Sequence, residues 1–206
     1  QVDKDIEVIN IFGQRNSLEK ATGSAFVVNQ EALEQFEYDD IHRILQTVPG
    51  VYMREEDGFG LRPNIGLRGA TTERSSKVAL MEDGVLIAPA PYAAPAAYFF
   101  PLVSRMENVE VFKGPSAIKY GPNTVGGAIN LVSTTVATSE NEEKRTVDFA
   151  IGEFNTTKLH LSANEHIALN DGETLGLLLE GIHLKSDGFK NLASGNDTGF
   201  DKKEFL

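Results

Sequence analysis

The sequence predicts an α+β domain over about residues 25 to 135, followed by a run of antiparallel β-strands. Two observations carry this prediction. In the first part of the chain, short β-prone runs alternate with short helical patterns and with turns that contain Gly or Pro, which is typical of a small mixed sheet with helices packed on it. In the second part, the hydrophobic period changes to two residues, the period of a strand with two different faces.

Two short helices are predicted near the start of the first domain. Asn29 is a suitable N-cap for a helix over residues 31–36. Asp39 is a suitable cap for a second helix, in which apolar residues recur at i, i+3, i+4 and i+7 and which Pro49-Gly50 ends. These apolar residues are Ile41, Ile44, Leu45 and Val48.

Short strands are predicted over the rest of this domain. Asp83-Gly84 is expected to join two of them as a tight hairpin, because both residues tolerate positive φ. The prolines of residues 88–95 lack the amide hydrogen that a central strand donates, so an exposed loop is predicted there. Ser104 and Glu107 have the spacing of a capping box and predict one turn of helix. The predicted strands are residues 51–54, 65–68, 78–81, 85–87, 109–112 and 128–132, with a further short helix at 117–120.

Three segments after a polar linker over residues 134–145 alternate apolar and polar residues. The apolar members are Val147, Phe149 and Ile151, then Leu159, Leu161 and Ala163, then Leu175, Leu177 and Leu179. Segments of this kind, joined by a short turn at residues 170–172, are typical of transmembrane barrel strands. An ordinary antiparallel meander with one buried face shows the same alternation, and on the pattern alone it is the favoured alternative.

Composition excludes several classes of protein. With 19 Lys plus Arg, 30 Asp plus Glu, a net charge of -11 and no basic block, nucleic acid is not expected as a partner. The absence of cysteine excludes a disulfide scaffold and thiolate metal sites. No apolar run reaches the roughly 20 residues of a membrane helix, so a membrane would be met through strands. The first residues do not form a signal peptide, and the last resemble the start of another element, which suggests a fragment.

Neither catalysis nor a resident metal is predicted. The sequence has no Walker loop, nucleophile elbow or dinucleotide fingerprint, and the acidic run over residues 55–57 is interpreted as a solvated charged stretch. The four histidines are scattered, without a His-Glu-x-x-His run or a calcium loop. Asp197, Asp201 and Glu204 could form a loose cation site, but an acidic loop is the preferred interpretation.

Five sequence blocks closely resemble the plug domain of TonB-dependent outer-membrane receptors. They are Val48-Pro49-Gly50-Val51, Ile65-Gly66-Leu67-Arg68-Gly69, Met81-Glu82-Asp83-Gly84-Val85, the run from Val109 to Gly121, and Gly126-Gly127-Ala128-Ile129-Asn130. Their occurrence in this order makes the resemblance specific. Residues 88–101 and 120–127 further resemble the ferric citrate receptor branch of the family.

The resemblance implies a domain organisation and a location. Residues 1–24 would be a periplasmic segment with a TonB box, residues 25–135 the plug, and residues 136–206 a linker and the first strands of a truncated transmembrane β-barrel. The complete barrel of the family has about 22 strands. The receptor would lie in the outer membrane of a Gram-negative bacterium, surrounded by lipid, with the plug inside the barrel. Such a protein is a transporter and not an enzyme.

The implied function is import of a ferric chelate, ferric citrate or another siderophore, energised by TonB and its inner-membrane complex. The alternatives are another scarce nutrient (haem, cobalamin or a different metal chelate) or an added signal-transducing role. The chelate would be the transported ligand, and no intrinsic cofactor is expected. The segment Asp5-Ile6-Glu7-Val8-Ile9-Asn10-Ile11 resembles a TonB box, because a β-prone heptad in a chain terminus can add an edge strand to a partner sheet.

Arg68 and Lys113 correspond within this resemblance to the basic residues of an ionic lock, which pair with glutamates on the barrel wall. Lys113 stands where the family more often has Arg. Because an ammonium cannot form the two parallel hydrogen bonds of a guanidinium, the lock is expected to be weaker or differently arranged here.

Ligand contacts are predicted in two loops. Arg62 offers paired donors to an anionic chelate, and Asn64 lies two residues further on. Tyr92 and Tyr98, in and after the proline-rich stretch, add hydroxyl groups and ring faces.

Overall fold

The computed structural model describes residues 24–36, 38–87, 99–121, 124–169, 173–195 and 198–206. The chain divides into two compact units, Gln1–Ser133 and Thr134–Leu206. No helix within these described ranges is long and apolar enough to cross a membrane.

A five-stranded mixed sheet organises the first unit. Its strands are β1 (Ser24–Val28), β4 (Val78–Glu82), β5 (Val85–Leu86), β6 (Met106–Lys113) and β7 (Gly127–Ser133). Their order is β1-β6-β7-β4-β5, with β4 parallel to β7 and the other neighbours antiparallel. A separate antiparallel pair consists of β2 (Val51–Arg54) and β3 (Asn64–Leu67).

The two faces of this sheet bury different side chains. One face carries the larger aliphatic core, to which the two short helices α1 (Gln30–Phe36) and α2 (Ile41–Leu45) contribute. This core includes Ile41, Leu45, Ile65, Leu67, Val109, Val111, Ile129 and Leu131, each at most 1% exposed. The other face carries a smaller cluster built around Phe112, with Ala117 and Tyr120 from the 3-10 turn Gly114–Tyr120.

Both predicted helices are present, but one has a different cap. Ala32 N donates to Asn29 Oδ1 at 3.1 Å, which confirms the predicted cap of α1. The cap predicted at Asp39 is wrong, because α2 begins at Ile41 and Asp40 Oδ1 accepts from His42 N at 2.9 Å. A capping carboxylate must immediately precede the first helical residue to reach the free amides of the first turn.

The capping box predicted at Ser104 and Glu107 is wrong. A 3-10 turn covers Val103–Arg105 without a side-chain cap, and β6 already begins at Met106, so Glu107 lies in a strand. β6 forms hydrogen bonds with β1 on one side and β7 on the other. Pairing with two neighbouring strands satisfies more backbone N–H and C=O groups than one capped helical turn would.

The Asp83-Gly84 hairpin is confirmed. Asp83 has φ 49° and Gly84 has φ 78°, and they join β4 to β5. The Asp83 carboxylate also accepts hydrogen bonds from the amide and the hydroxyl of Ser133, at 2.9 and 2.6 Å. The other predicted strands of this unit are present, whereas the loop predicted over residues 88–95 lies outside the described residues.

The second unit is a four-stranded antiparallel sheet with strands in sequential order. The strands are β8 (Lys144–Gly152), β9 (Thr156–Ala168), β10 (Thr174–Ser186) and β11 (Phe200–Phe205). The first three contain the predicted alternating segments. Asp201 and Glu204 lie in β11, so the acidic loop expected at these residues is wrong, while Asp197 and the turn at residues 170–172 lie outside the described residues.

Candidate functional site

Arg68 and Lys113 end two different strands and lie side by side. Arg68 follows the last residue of β3 in a left-handed conformation, with φ 53°, and Lys113 is the last residue of β6. The guanidinium of Arg68 lies over Gly114, at the position that a Cβ would take, and Gly114 has φ 74°, a conformation that favours glycine. The structure therefore brings together the two residues that the sequence assigned to one lock.

The turn Pro49-Gly50 contacts both of these cationic residues. Lys113 Nζ donates to the carbonyl oxygen of Pro49 at 2.8 Å, and the amide of Arg68 donates to the carbonyl oxygen of Gly50 at 3.0 Å. Burial of Lys113, and after it the charge of Arg68, lower the pKa of the Lys113 ammonium.

No carboxylate among the described residues forms an ion pair with either cation. Lys113 is only 7% exposed, so its charge is stabilised by a neutral carbonyl group and opposed by the neighbouring guanidinium. Buried charges are normally paired. Among the described residues, the Lys113 ammonium therefore has a hydrogen-bond acceptor but no compensating negative charge.

Arg62 and Asn64 lie at the end of the loop between β2 and β3. Arg62 is exposed, as an anion-binding guanidinium must be. Asn64 is 2% exposed, and its amide is used inside the unit: Nδ2 donates to Glu56 Oε2 and Oδ1 accepts from the amide of Arg74, both at 2.8 Å. As a ligand contact Asn64 stays a prediction, and toward an anionic chelate it would act through the second N–H of Nδ2, since only a donor can bind an anion.

The loop that presents Arg62 is attached to α2 through a pair that sequence reasoning missed. His42 Nδ1 lies 2.8 Å from Asp40 Oδ1, and Gly60 packs on Asp40 where no Cβ would fit. Burial opposes protonation of His42, yet the hydrogen bond and charge of Asp40 and the charge of Glu55 raise its pKa overall. The spacing Asp-x-His is the only sequence signal for this pair.

A second buried polar group supports the hairpin at Asp83-Gly84. Asn130 Nδ2 donates to Glu110 Oε2 at 2.9 Å, and Asn130 Oδ1 accepts from the amide of Gly84 at 2.8 Å. Glu110 is 1% exposed and its Oε1 has no hydrogen-bond partner. Burial raises the pKa of Glu110, and burial together with the Glu110 charge raises the pKa of Tyr120 to about 12.

The other predicted site residues lie outside the described part of the chain; they are Tyr92, Tyr98 and the heptad Asp5-Ile6-Glu7-Val8-Ile9-Asn10-Ile11. Within the part of the chain that is described, no group of three or more His, Cys, Asp or Glu side chains could hold a metal ion.

The sheet of the second unit has an inverted distribution of polarity. Cross-strand register puts Val147, Leu161, Gly181 and Phe205 in one row on one face. Around this row lies what we call the apolar band: Val147, Phe149, Ile151, Leu159, Leu161, Ile167, Leu175, Leu177, Leu179 and Phe205, all between 39% and 81% exposed.

The opposite face of the same sheet buries charged side chains. Lys158 Nζ lies 3.2 Å from Asp148 Oδ2, and His160 Nε2 lies 2.7 Å from Glu180 Oε1. Ile182 and Leu184 are buried beside them. A meander in water would bury its apolar face and expose its charges, so the meander alternative is wrong and the arrangement is that of barrel strands.

The linker that leaves the first unit is fixed to the second-unit sheet by one asparagine. Asn164 of β9, 5% exposed, accepts from the amide of Ala137 and donates to the carbonyl oxygen of Thr135, both at 2.8 Å. Gly176 of β10 lies against Val136 and Ala137, where no Cβ would fit. The linker is thereby held against β9 and β10.

Comparisons with known proteins agree with this geometry. The family model described as TonB-dependent Receptor Plug Domain matches residues 17–128. The vitamin B12 transporter BtuB of Vibrio vulnificus (strain CMCP6) is 27% identical over 191 residues, which are 92% of this chain and 30% of that protein.

Solved structures of similar fold include two iron-chelate receptors. The ferric yersiniabactin uptake receptor FyuA from Yersinia pestis has a TM-score of 0.62 at 21% identity, over 88% of this chain and 27% of that chain. The unliganded ferric citrate transporter FecA has a TM-score of 0.56 at 20% identity, over 85% and 30% respectively. The chain thus spans less than a third of each of these relatives.

Proposed function

Because the chain belongs to the TonB-dependent receptor family, we propose that it forms the plug and the first barrel strands of a receptor that imports a ferric chelate through the outer membrane. The family consists of outer-membrane receptors and transporters, not of enzymes. The observation that carries the proposal is the inverted sheet directly after the plug, with apolar side chains exposed and the Asp148–Lys158 and His160–Glu180 pairs buried. Such a sheet needs lipid on one side.

The ligand that we propose is an anionic ferric chelate. The support is the exposed guanidinium of Arg62 on a loop held by Asp40 and Asp57, whose Oδ1 accepts from the amide of Phe59 at 2.7 Å. A loop fixed by its own hydrogen bonds presents its donors without a large ordering cost. Two relatives are named for ferric chelates, ferric yersiniabactin and ferric citrate, and ferric citrate is the finer proposal.

Cobalamin is the second candidate ligand. It is supported by the similarity to a vitamin B12 transporter over 92% of the chain. Tyr92 and Tyr98 would serve either ligand, since ring faces and hydroxyl groups contact neutral as well as charged molecules.

For the lock, we propose that Arg68 and Lys113 bind carboxylates of the barrel wall. The unpaired, buried ammonium of Lys113 supports this assignment, since a carboxylate there would compensate two cations at once. For energy supply, residues 5–11 would pair with TonB as an added strand, and TonB would pull part of the plug aside.

The ligand proposal is tested by binding and growth with a panel of ferric chelates and cobalamin. An iron-limited strain that carries the receptor should grow on an anionic ferric chelate, and Arg62→Ala should weaken binding of that chelate about tenfold or more. Arg43→Ala, which removes another exposed guanidinium, in α2, serves as the control. Binding of cobalamin and of none of the ferric chelates would replace the ferric chelate by the second candidate, and unchanged affinity of Arg62→Ala would move the site away from this loop.

A further inference from the structure

The pair of His42 and Asp40 lies between α2 and the loop that carries Arg62. His42 is 2% exposed, and its Nδ1 lies 2.8 Å from Asp40 Oδ1. The same carboxylate oxygen accepts from the amide of His42 at 2.9 Å and so caps α2. One oxygen atom therefore holds both the start of the helix and the imidazole ring.

Gly60 connects this pair to the loop between β2 and β3. A Cβ at Gly60 would overlap Asp40 Oδ1 and lie 2.9 Å from Asp40 Cα, and Gly60 has φ 73°. The backbone of the loop thus rests directly on the carboxylate oxygen that His42 contacts. Arg62 follows Gly60 by two residues and is exposed, so the position of this carboxylate influences where the guanidinium lies.

Other attachments of the loop do not change their charge near neutral pH. Asp57 Oδ1 accepts from the amide of Phe59 at 2.7 Å, and Asn64 Nδ2 donates to Glu56 Oε2 at 2.8 Å. Amides stay neutral, and carboxylates titrate well below the range in which imidazole does. Of these three attachments, the one under Gly60 is therefore the pH-dependent one.

Charges from two sides act on His42. Asp40 lies beside it at the start of α2, and Glu55 follows β2, whose Arg54 carbonyl group also favours a protonated ring. Burial lowers the pKa of His42, but these groups raise it, and the net pKa lies above 6.5. Burial raises the pKa of Asp40, but the hydrogen bonds from His42 and the charges of His42 and Arg43 bring it below 3.8. The two groups therefore form an ion pair over a wide pH range.

The stabilisation by this ion pair is lost at alkaline pH. Since the folded-state pKa of His42 is raised, its contribution is fully present below pH 6.5 and disappears as the pH rises through the folded-state value. Neutral imidazole can still donate from Nδ1, but more weakly than imidazolium does. Deprotonation also leaves Asp40 and Glu55 less compensated, which repels an anion. Both effects weaken anion binding in the same direction.

We propose that His42 is a positioning residue for Arg62, and that its ion pair with Asp40 makes the receptor bind an anionic ferric chelate more tightly at acidic than at alkaline pH. This inference rests on the proposed function, since it requires the chelate to contact this loop. His42 is buried, so it acts on the loop backbone through Asp40 and Gly60 and does not touch the chelate.

The experiment is equilibrium binding of one anionic ferric chelate to the full-length receptor from about pH 5.5 to about pH 8.5, on both sides of the imidazole titration. The unchanged receptor and each variant are compared at every pH, so that a change in the protonation of the chelate itself cancels. Across this range the unchanged receptor should lose about threefold more affinity than His42→Gln, which keeps a neutral donor.

Two further variants separate the charge of the pair from its shape. Asp40→Asn keeps a side chain that can cap α2 but removes the negative charge, so the loss of affinity should occur at lower pH. His183→Gln, which removes a half-exposed imidazole from the apolar-band face of β10, is the control and should show the pH dependence of the unchanged receptor.

Equal pH dependence of the unchanged receptor and His42→Gln would overturn the inference. Hydrogen exchange of the Phe59 and Leu61 amides, which donate to Asp57, decides where a variant does not fold. In the unchanged, ligand-free receptor their protection, corrected for intrinsic exchange rates, should fall as the pH rises through the imidazole titration, and constant protection would also overturn the inference. A receptor that binds no ferric chelate at any pH would instead contradict the proposed function.

Discussion

The ammonium of Lys113 donates a hydrogen bond to the carbonyl oxygen of Pro49, 2.8 Å away, and so ties the end of β6 to the turn that precedes β2. A carbonyl group satisfies the hydrogen bond but carries no net charge. Lys113 therefore has a structural role within the plug and, under the proposal, an electrostatic role toward the barrel wall. Variants that keep or remove the charge separate the two roles.

Lys113→Met should remove both the hydrogen bond to the Pro49 carbonyl oxygen and the positive charge. The missing donor leaves the Pro49 carbonyl group without its partner, which should destabilise the β2–β3 pair by about 1–3 kcal/mol. Lys113→Arg keeps the charge and should retain most of this stability while strengthening pairing with a carboxylate. Hydrogen exchange of the Arg68 amide, which donates to Gly50, reports the change. Equal protection in all three proteins would contradict a role for this contact.

Glu110→Gln should stabilise the plug at neutral pH. Burial raises the folded-state pKa of Glu110 above 4.5, so the folded protein binds this proton more tightly than the unfolded chain does. The stability that the group contributes is present below pH 4.5 and is lost as the pH rises through the folded-state value. Gln keeps an oxygen for Asn130 Nδ2 without the charge and should add about 1–3 kcal/mol at neutral pH.

The measurement for Glu110→Gln is hydrogen exchange of β6 and β7 amides at pH 4 and pH 7, roughly the two limits of the titration, with intrinsic exchange rates subtracted. The difference between the variant and the unchanged protein should be small at the lower pH and larger at the higher one. A difference that is independent of pH would show that Glu110 does not titrate in this way. Glu110→Ala, which leaves Asn130 without its acceptor, should destabilise the plug at both values.

Leu161→Arg should impair insertion of the barrel, whereas Ser162→Arg should not. Leu161 lies at the centre of the apolar band, and Ser162, the next residue, projects from the opposite face, which carries Glu180 as its cross-strand partner. An arginine facing the bilayer centre costs about 2–4 kcal/mol, and one facing the lumen costs little. Folding yield in lipid vesicles, followed by heat-modifiable electrophoretic migration, distinguishes the variants. Equal yields would contradict the assignment of faces.

The local sequence predicted the helices and strands better than it predicted which face of a sheet is buried. The period of two residues identified β8, β9 and β10, but an alternation says only that two faces differ. Whether Leu161 or His160 is exposed depends on the medium that each face contacts. The pattern alone favoured a sheet in water with its apolar face buried, whereas in the structure Leu161 is exposed and His160 is buried. The resemblance to receptor plugs supplied that context from a different part of the chain.

The sequence predicted the parts of the candidate site that belong to a local motif. It missed the contacts between residues that lie far apart along the chain. The resemblance put Arg68 and Lys113 in one lock, and the structure brings them together. The hydrogen bond of Lys113 to Pro49 joins residues 64 positions apart, and nothing in either local sequence indicates it. The His42–Asp40 pair was not predicted, because the helix cap was expected one residue earlier, at Asp39.

The central claim is that TonB energises this receptor through residues 5–11, and energised uptake tests it most directly. Deleting these residues should abolish uptake of the ferric chelate into iron-limited cells while the affinity of the receptor for the chelate stays unchanged. Ile9→Pro should have the same effect, because proline removes an amide donor from the added strand, whereas Ile9→Ala should retain most uptake. Uptake at the unchanged rate after the deletion would contradict the account.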